Sequence, residues 1–228
     1  MKKSIKEGRD SMKLWENREK AIRALDRELY IENQIMNSLF ELFDNVIESY
    51  KLNTPILRVT GNISIKIRAL CHGILSLSLD GHAQESGALL RTAIEAYESL
   101  IYLRQNPTSV NEFLEDRKPK AGTIAKAIQG NFQEVRNYLS NHSSHFAFKP
   151  DSLIHFWQVT DDEDITLKEP PFKIENLRKN LGTLAIFMLQ ALAESIACLQ
   201  QNDVFVARCH EKSISLHEKI ENVFPNEA

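Results

Sequence analysis

The stretch His82-Ala-Gln-Glu-Ser-Gly-Ala-Leu-Leu-Arg-Thr-Ala-Ile-Glu-Ala-Tyr-Glu-Ser-Leu-Ile-Tyr102 has two chemically different faces at helical spacing. Leu89, Leu90, Ala93, Ile94, Tyr97, Leu100 and Ile101 recur at three- and four-residue intervals and form one broad apolar face. Arg91, Glu95, Glu98 and Tyr102 line a stripe on the other side. The pattern predicts the central helix of an all-α bundle.

Working outward, Asp80-Gly81 is a short turn, so the preceding helix is expected to lie antiparallel to the central one. That helix starts at Asn53-Thr54-Pro55, since proline suits the first helical turn, and runs to about Leu79. The run 62–67 alternates like a strand, but Leu70, Ile74 and Leu77 restore helical spacing. Residues 12–50 read as one long helix, charged in its first half and apolar in its second, whose first part projects or meets a partner. Asn106-Pro107-Thr108 ends the central helix. Short helices follow through Phe113, through Ile124 and Ile128, and from Phe132 through Leu139. The last of these is expected to fade near Asn141, because Asn-His-Ser-Ser is poor helix sequence. Residues 146–172 form one long ordered loop, with three prolines, the aromatics Phe146, Phe148, Phe156 and Trp157 and the acidic run Asp161-Asp-Glu-Asp164, and a short strand or helical turn within 152–159. A last major helix spans 174–201, and a more polar, peripheral one spans 204–223. The expected architecture is thus a single domain over 1–228. It is an all-α bundle of about five to seven helices with its core in 57–201 and a long ordered loop before the last major helix.

Composition agrees with a globular bundle: 228 residues, 43% hydrophobic and 26% charged. The net charge of −3 argues against a wholly basic nucleic-acid coat, though not against a local basic groove such as Arg117-Lys118-Pro119-Lys120 with Lys126. Three cysteines, Cys71, Cys198 and Cys209, have no metal or redox spacing, and a cytoplasmic setting follows. The first ten residues lack the apolar core of a secretory signal. The apolar segment 181–199 is broken by Gln190, Glu194 and Ser195, so a buried helix fits it better than a membrane span, and no membrane is expected as partner.

Three sets of residues could carry chemistry. The first is Arg136-Asn-Tyr-Leu-Ser-Asn-His142. Six residues on a straight helix separate two side chains by about 9 Å and roughly 120°. Arg136 and His142 therefore converge only where the helix ends between them. A guanidinium can hold a phosphate and its developing charge, and an imidazole can move a proton near neutral pH, with no metal needed. The plainer alternative is an Arg paired within the bundle and histidines in a surface turn. The second set is Arg91 with Glu95 and Glu98, a half-buried pair that either orients Arg136 or ties helices together. The third is His82 with Glu85, joined by His72. Their spacing permits a metal, but a bundle di-metal site needs repeated Glu-x-x-His, which is absent, so neither metal nor cofactor is expected.

Arg136, the polar Asn137 and a histidine after five intervening residues resemble the motif of the HEPN superfamily of helical domains. The wider chain, over residues 57–201, looks like a bacterial group of helical proteins. That group pairs a central-helix pattern like Glu85, Leu90, Arg91 and Glu95 with a later Leu-Ser and His, here Leu139, Ser140 and His145. The chain departs from the pattern in offering two histidines, His142 and His145, for one position. The resemblance implies a metal-independent endoribonuclease, of the toxin or phage-defence kind, acting on RNA as a homodimer. Arg136 would bind the scissile phosphate, His142 or His145 would serve as acid/base, and Asn137 and Ser140 would position them. A non-catalytic module for a protein partner or a nucleotide is the alternative. The two motifs are expected to meet: Glu95 should lie within reach of Arg136, Arg91, His142 or His145 in the same subunit.

Overall fold

A computed structural model describes residues 15–130, 132–142, 157–159, 165–167, 172–199 and 204–224, without side chains at 141, 142 and in the two strands. Nine α-helices occur among the described residues, rather more than the five to seven expected, and the all-α class holds. They are α1 (Glu16–Asp26), α2 (Tyr30–Glu48), α3 (Pro55–Asp80), α4 (Ala83–Gln105), α5 (Val110–Leu114), α6 (Ala121–Ile128), α7 (Gln133–His142), α8 (Ile174–Cys198) and α9 (Val204–Val223).

Local chemistry sets the long helices. The Thr54 hydroxyl accepts from the Leu57 amide at 3.3 Å and Pro55 follows it, which starts α3. Gly81 ends α3 with φ +85°. The His82 amide donates to the Leu77 carbonyl at 2.8 Å and the Gly81 amide to Ser78 at 3.2 Å, a Schellman closure that turns the chain straight into α4. α3 and α4 then pack along their lengths as expected.

The single helix expected over 12–50 is instead two. The chain breaks at residues 27–29, where the amides of Arg27 and Leu29 both donate to the Ala24 carbonyl. The break lets α1 fold back on α3. Arg18 reaches Asp80 with Nε and Nη2, at 2.5 and 2.6 Å, and the Ser76 hydroxyl at 2.7 Å. α2 does not project either. It buries Ile35, Met36, Leu39, Leu42, Phe43 and Val46 in the core, and its buried Glu32 is held by Arg178 of α8 at 2.7 Å. α9, expected to be peripheral, packs Cys209, Leu216 and Ile220 into the same core against α8 and α2.

α8 is the central pillar. It is long and apolar enough to cross a membrane by composition, with a mean hydropathy of 1.6 over its best window, but 67% of that window is buried inside the bundle. Two of its three polar interruptions have partners, while the third, Gln190, keeps a buried Oε1 with no hydrogen-bond partner among the described residues. Glu194 is gripped by Arg104 of α4, and the Ser195 hydroxyl and carbonyl meet Ser64 at 3.0 Å and Tyr50 at 2.9 Å. A buried polar group that finds a partner avoids the desolvation penalty it would otherwise carry.

Within the long segment before α8, Trp157–Val159 pairs antiparallel with Ile165–Leu167, the strand alternative for 152–159. The rest of that expected loop up to residue 171, including the acidic run, lies outside the described residues.

Candidate functional site

The polar stripe of α4 is only partly open to solvent, with Arg91, Glu95 and Tyr102 half-buried. α6 and α7 pack over it, while α3 and α8 cover the apolar face. Glu98 is therefore almost fully buried although it sits in the stripe read as the less apolar side. Arg136 enters from α7. Its Nη1 donates to Glu98 Oε2 at 3.2 Å and to the Ala121 carbonyl at the start of α6, also at 3.2 Å.

Three features of the sequence put Arg136 there. Phe132, just before α7, wedges between Tyr97 of α4 and Phe187 of α8, with edge-to-face ring distances of 5.7 and 5.9 Å. Leu139, one turn after Arg136, is buried in the core and fixes the rotation of α7. Gly130 lies directly against Glu98: a Cβ on it would stand 2.9 Å from Glu98 Oε1. The glycine is present for this close approach and not for an unusual backbone angle, because the left-handed residue that ends α6 is Gln129, at φ +52°.

The electrostatics of the cluster are uneven. Burial pushes the Glu98 carboxyl above its ordinary value, Arg136 pulls it back down, and Glu95 adds to the rise. Glu98 Oε1 is buried with no hydrogen-bond partner among the described residues, and so is Arg91 Nε. A guanidinium facing a carboxylate that retains an unsatisfied oxygen is a store of buried polarity. Chemically it can hold one rotamer, accept a proton or take a further donor.

The expected meeting of the two motifs occurs, through a different carboxylate. Glu95 reaches Arg91 on its own helix at 3.0 Å, and the acid that reaches Arg136 is Glu98, one turn further on. A single sequence carries no signal pairing position 98 with 136. The only hint was that Glu98 continues the Arg91/Glu95 stripe at helical spacing.

The other site residues are dispersed. Asn137 is exposed beside Arg136, Ser140 is half-buried, and Glu85 is exposed at the start of α4. α7 extends through His142, past the point where it was expected to fade, so Arg136 and His142 share one helix. The His142 side chain and all of His145 lie outside the described residues. His82 is exposed and makes no cap to α4, and His72 packs edge-on to Phe40 at 6.2 Å. No cluster of metal-ligating side chains occurs among the described residues.

The chain matches no family model, no curated protein and no solved structure.

Proposed function

We propose that this chain is a HEPN-like helical module that binds a protein partner or a nucleotide. The observation that carries this reading is the state of Arg136. A guanidinium meant to grip a substrate phosphate must keep its donors open to the ligand. Arg136 uses Nη1 on Glu98 and on the Ala121 carbonyl, and its side chain is only 11% exposed. In that setting it locks α7 onto α4 and α6, and it presents the exposed Val135, Asn137 and Tyr138 on the outer face of α7. The test is affinity capture from the native cell extract with the full chain, followed by reconstitution of any complex from purified components and calorimetry with nucleotides. Recovery of a pair that survives purification is expected. Absence of both a reconstituted partner and nucleotide binding overturns the reading.

One observation favours a second reading, the metal-independent endoribonuclease of a toxin or phage-defence system. Arg136 is held in a single arrangement by a carboxylate of the central helix, as a pre-positioned phosphate-binding group should be. In that case Arg136 would hold the phosphate and His142 or His145 would move the proton. Asn137, Ser140, Arg91 and Glu95 would support them, and two copies would meet over the RNA in the cytoplasm. Purified protein incubated with RNA in EDTA is the assay. Cleavage that disappears in an Arg136→Ala/His142→Ala variant would replace the binding reading with this one.

A further inference from the structure

We propose that the cleft between α1 and α8 binds a small molecule carrying two or more phosphate groups. The cleft holds about 540 Å³ and is lined by Lys20, Arg23 and Arg27 of α1 and the loop after it, and by Phe172 and Lys173 at the start of α8. None of its lining residues belongs to the α4–α7 cluster, so loss of binding in a variant of the cleft cations separates this site from any nucleotide binding at that cluster.

The three α1-side cations are spaced at i, i+3 and i+7, which makes a stripe about 10 Å long and offers separate charges to more than one anionic group. Lys173 adds a fourth cation, against two carboxylates, Glu28 and Glu175. This local positive excess occurs in a chain whose net charge is −3. Lys20 and Arg23 also touch Glu16 at 2.6 Å and Glu19 at 3.7 Å, but these are exposed one-turn pairs of the kind that contribute little and exchange readily. Arg27 and Lys173 have no ion pair among the described residues.

Helix electrostatics explain only part of this arrangement. Arg23 and Arg27 sit at the C-terminal end of α1, where the helix dipole favours cations without any ligand. Lys173 sits at the opposite kind of end. It is the N-cap of α8, where a cation is unfavourable and an anion favourable, and it supplies no side-chain acceptor to the first turn. Glu175 in the first turn of α8 meets part of that dipole, but four cations line the cleft against two carboxylates, an imbalance that a bound anion would offset. Ala24, Phe172 and Ile174 give the cleft an apolar part for the remainder of the ligand. The volume falls within the range of roughly 300–1,000 Å³ usual for small-molecule sites. The two rim carboxylates and the negative net charge disfavour a long polyanion lying across it.

The test is calorimetric titration of the full chain with inorganic triphosphate, adenosine triphosphate, adenosine and a short single-stranded RNA. Both cations to be changed are exposed, so an Arg27→Ala/Lys173→Ala variant is expected to keep the wild-type melting temperature. Arg27→Lys, which keeps the charge, should retain binding. Triphosphate and adenosine triphosphate are expected to bind and adenosine not to, with affinity weakened roughly tenfold or more in the double-alanine variant. Tighter binding of adenosine triphosphate than of triphosphate identifies a nucleotide as the source of the phosphates, and equal binding identifies a free polyphosphate. Failure of both to bind, unchanged affinity in the folded double variant, or binding of the RNA alone overturns the proposal.

Discussion

Arg136 Nη1 stands 3.2 Å from Glu98 Oε2, and the two side chains are 11% and 1% exposed. The pair joins α7 to the central helix at a point from which water is excluded. Such a pair is sensitive to the loss of one member more than it is stabilising as a whole, because the survivor is left charged and unpaired.

Glu98→Ala or Arg136→Ala alone should therefore destabilise the chain by about 3–5 kcal/mol. Joint replacement by apolar residues of similar size, Glu98→Leu with Arg136→Met, should cost much less than the sum. Urea unfolding of the two singles and the double measures the coupling. Single losses near those of ordinary surface changes, within about 0.5 kcal/mol, would show that the pair is not buried in solution.

The raised Glu98 pKa gives the pH dependence a definite sign. A carboxyl whose folded pKa lies above its unfolded value binds its proton more tightly when folded. Its contribution to stability is complete below the ordinary value of 4.5 and is lost as pH rises through the raised folded value. Burial is the main cause and Arg136 opposes it, so the window runs upward from the ordinary value of 4.5. Unfolding free energy of the wild type minus that of Glu98→Gln should fall across that window and level off above it. A difference that rises with pH would mean that Arg136 outweighs burial.

Gly130 and Gln129 make opposite predictions. Gly130→Ala places a methyl 2.9 Å from Glu98 Oε1, the unpartnered oxygen of a buried carboxylate whose Oε2 holds Arg136, so the carboxylate must shift and a loss of about 1 kcal/mol, the low end of overpacking, is expected. Gln129→Gly relieves a left-handed backbone at φ +52°, and should stabilise by roughly 0.5–1 kcal/mol. Thermal melts of the two variants check both signs.

Cys71, Cys198 and Cys209 are all buried, and burial pushes the thiols of Cys71 and Cys198 up to about 12. Since the thiolate is the reactive form, neither should react with a thiol reagent at neutral pH until the bundle opens. Labelling rates in increasing urea should track global unfolding. Fast labelling of Cys198 in the native state would reveal a local opening of the α8 C-terminus instead.

Much of the bundle was legible because its punctuation is local. Thr54-Pro55 and Asp80-Gly81 mark the ends of α3 by capping chemistry that any sequence displays. The break between α1 and α2 was not legible. Residues 27–29 contain no Gly or Pro, and what bends the chain is tertiary: Arg18 reaching Asp80 and Ser76, some sixty residues away. The candidate site divides the same way. Arg136 and the α4 stripe were visible as residue types at helical spacing. The identity of the acid that meets Arg136 depends on how α7 lies across α4, which Phe132, Leu139 and Gly130 set together and no local pattern encodes.

The two acids of the central helix separate these contributions. Glu95 pairs with Arg91 at 3.0 Å on the same helix, with the cation N-terminal, the weaker of the two orientations, and both side chains remain about a third exposed. Such a pair is worth a few tenths of a kcal/mol and is screened by salt. Glu98 bridges two helices out of solvent. Glu95→Gln should accordingly change stability by less than about 0.5 kcal/mol, and less still in 1 M salt, where the Debye length falls to about 3 Å. Glu98→Ala should keep its cost in the same buffer. If instead Glu95→Gln proves the more damaging at high salt, the polar link between α4 and α7 runs through Glu95, as the spacing of Arg91 and Glu95 first suggested, and Glu98 is only its buried neighbour.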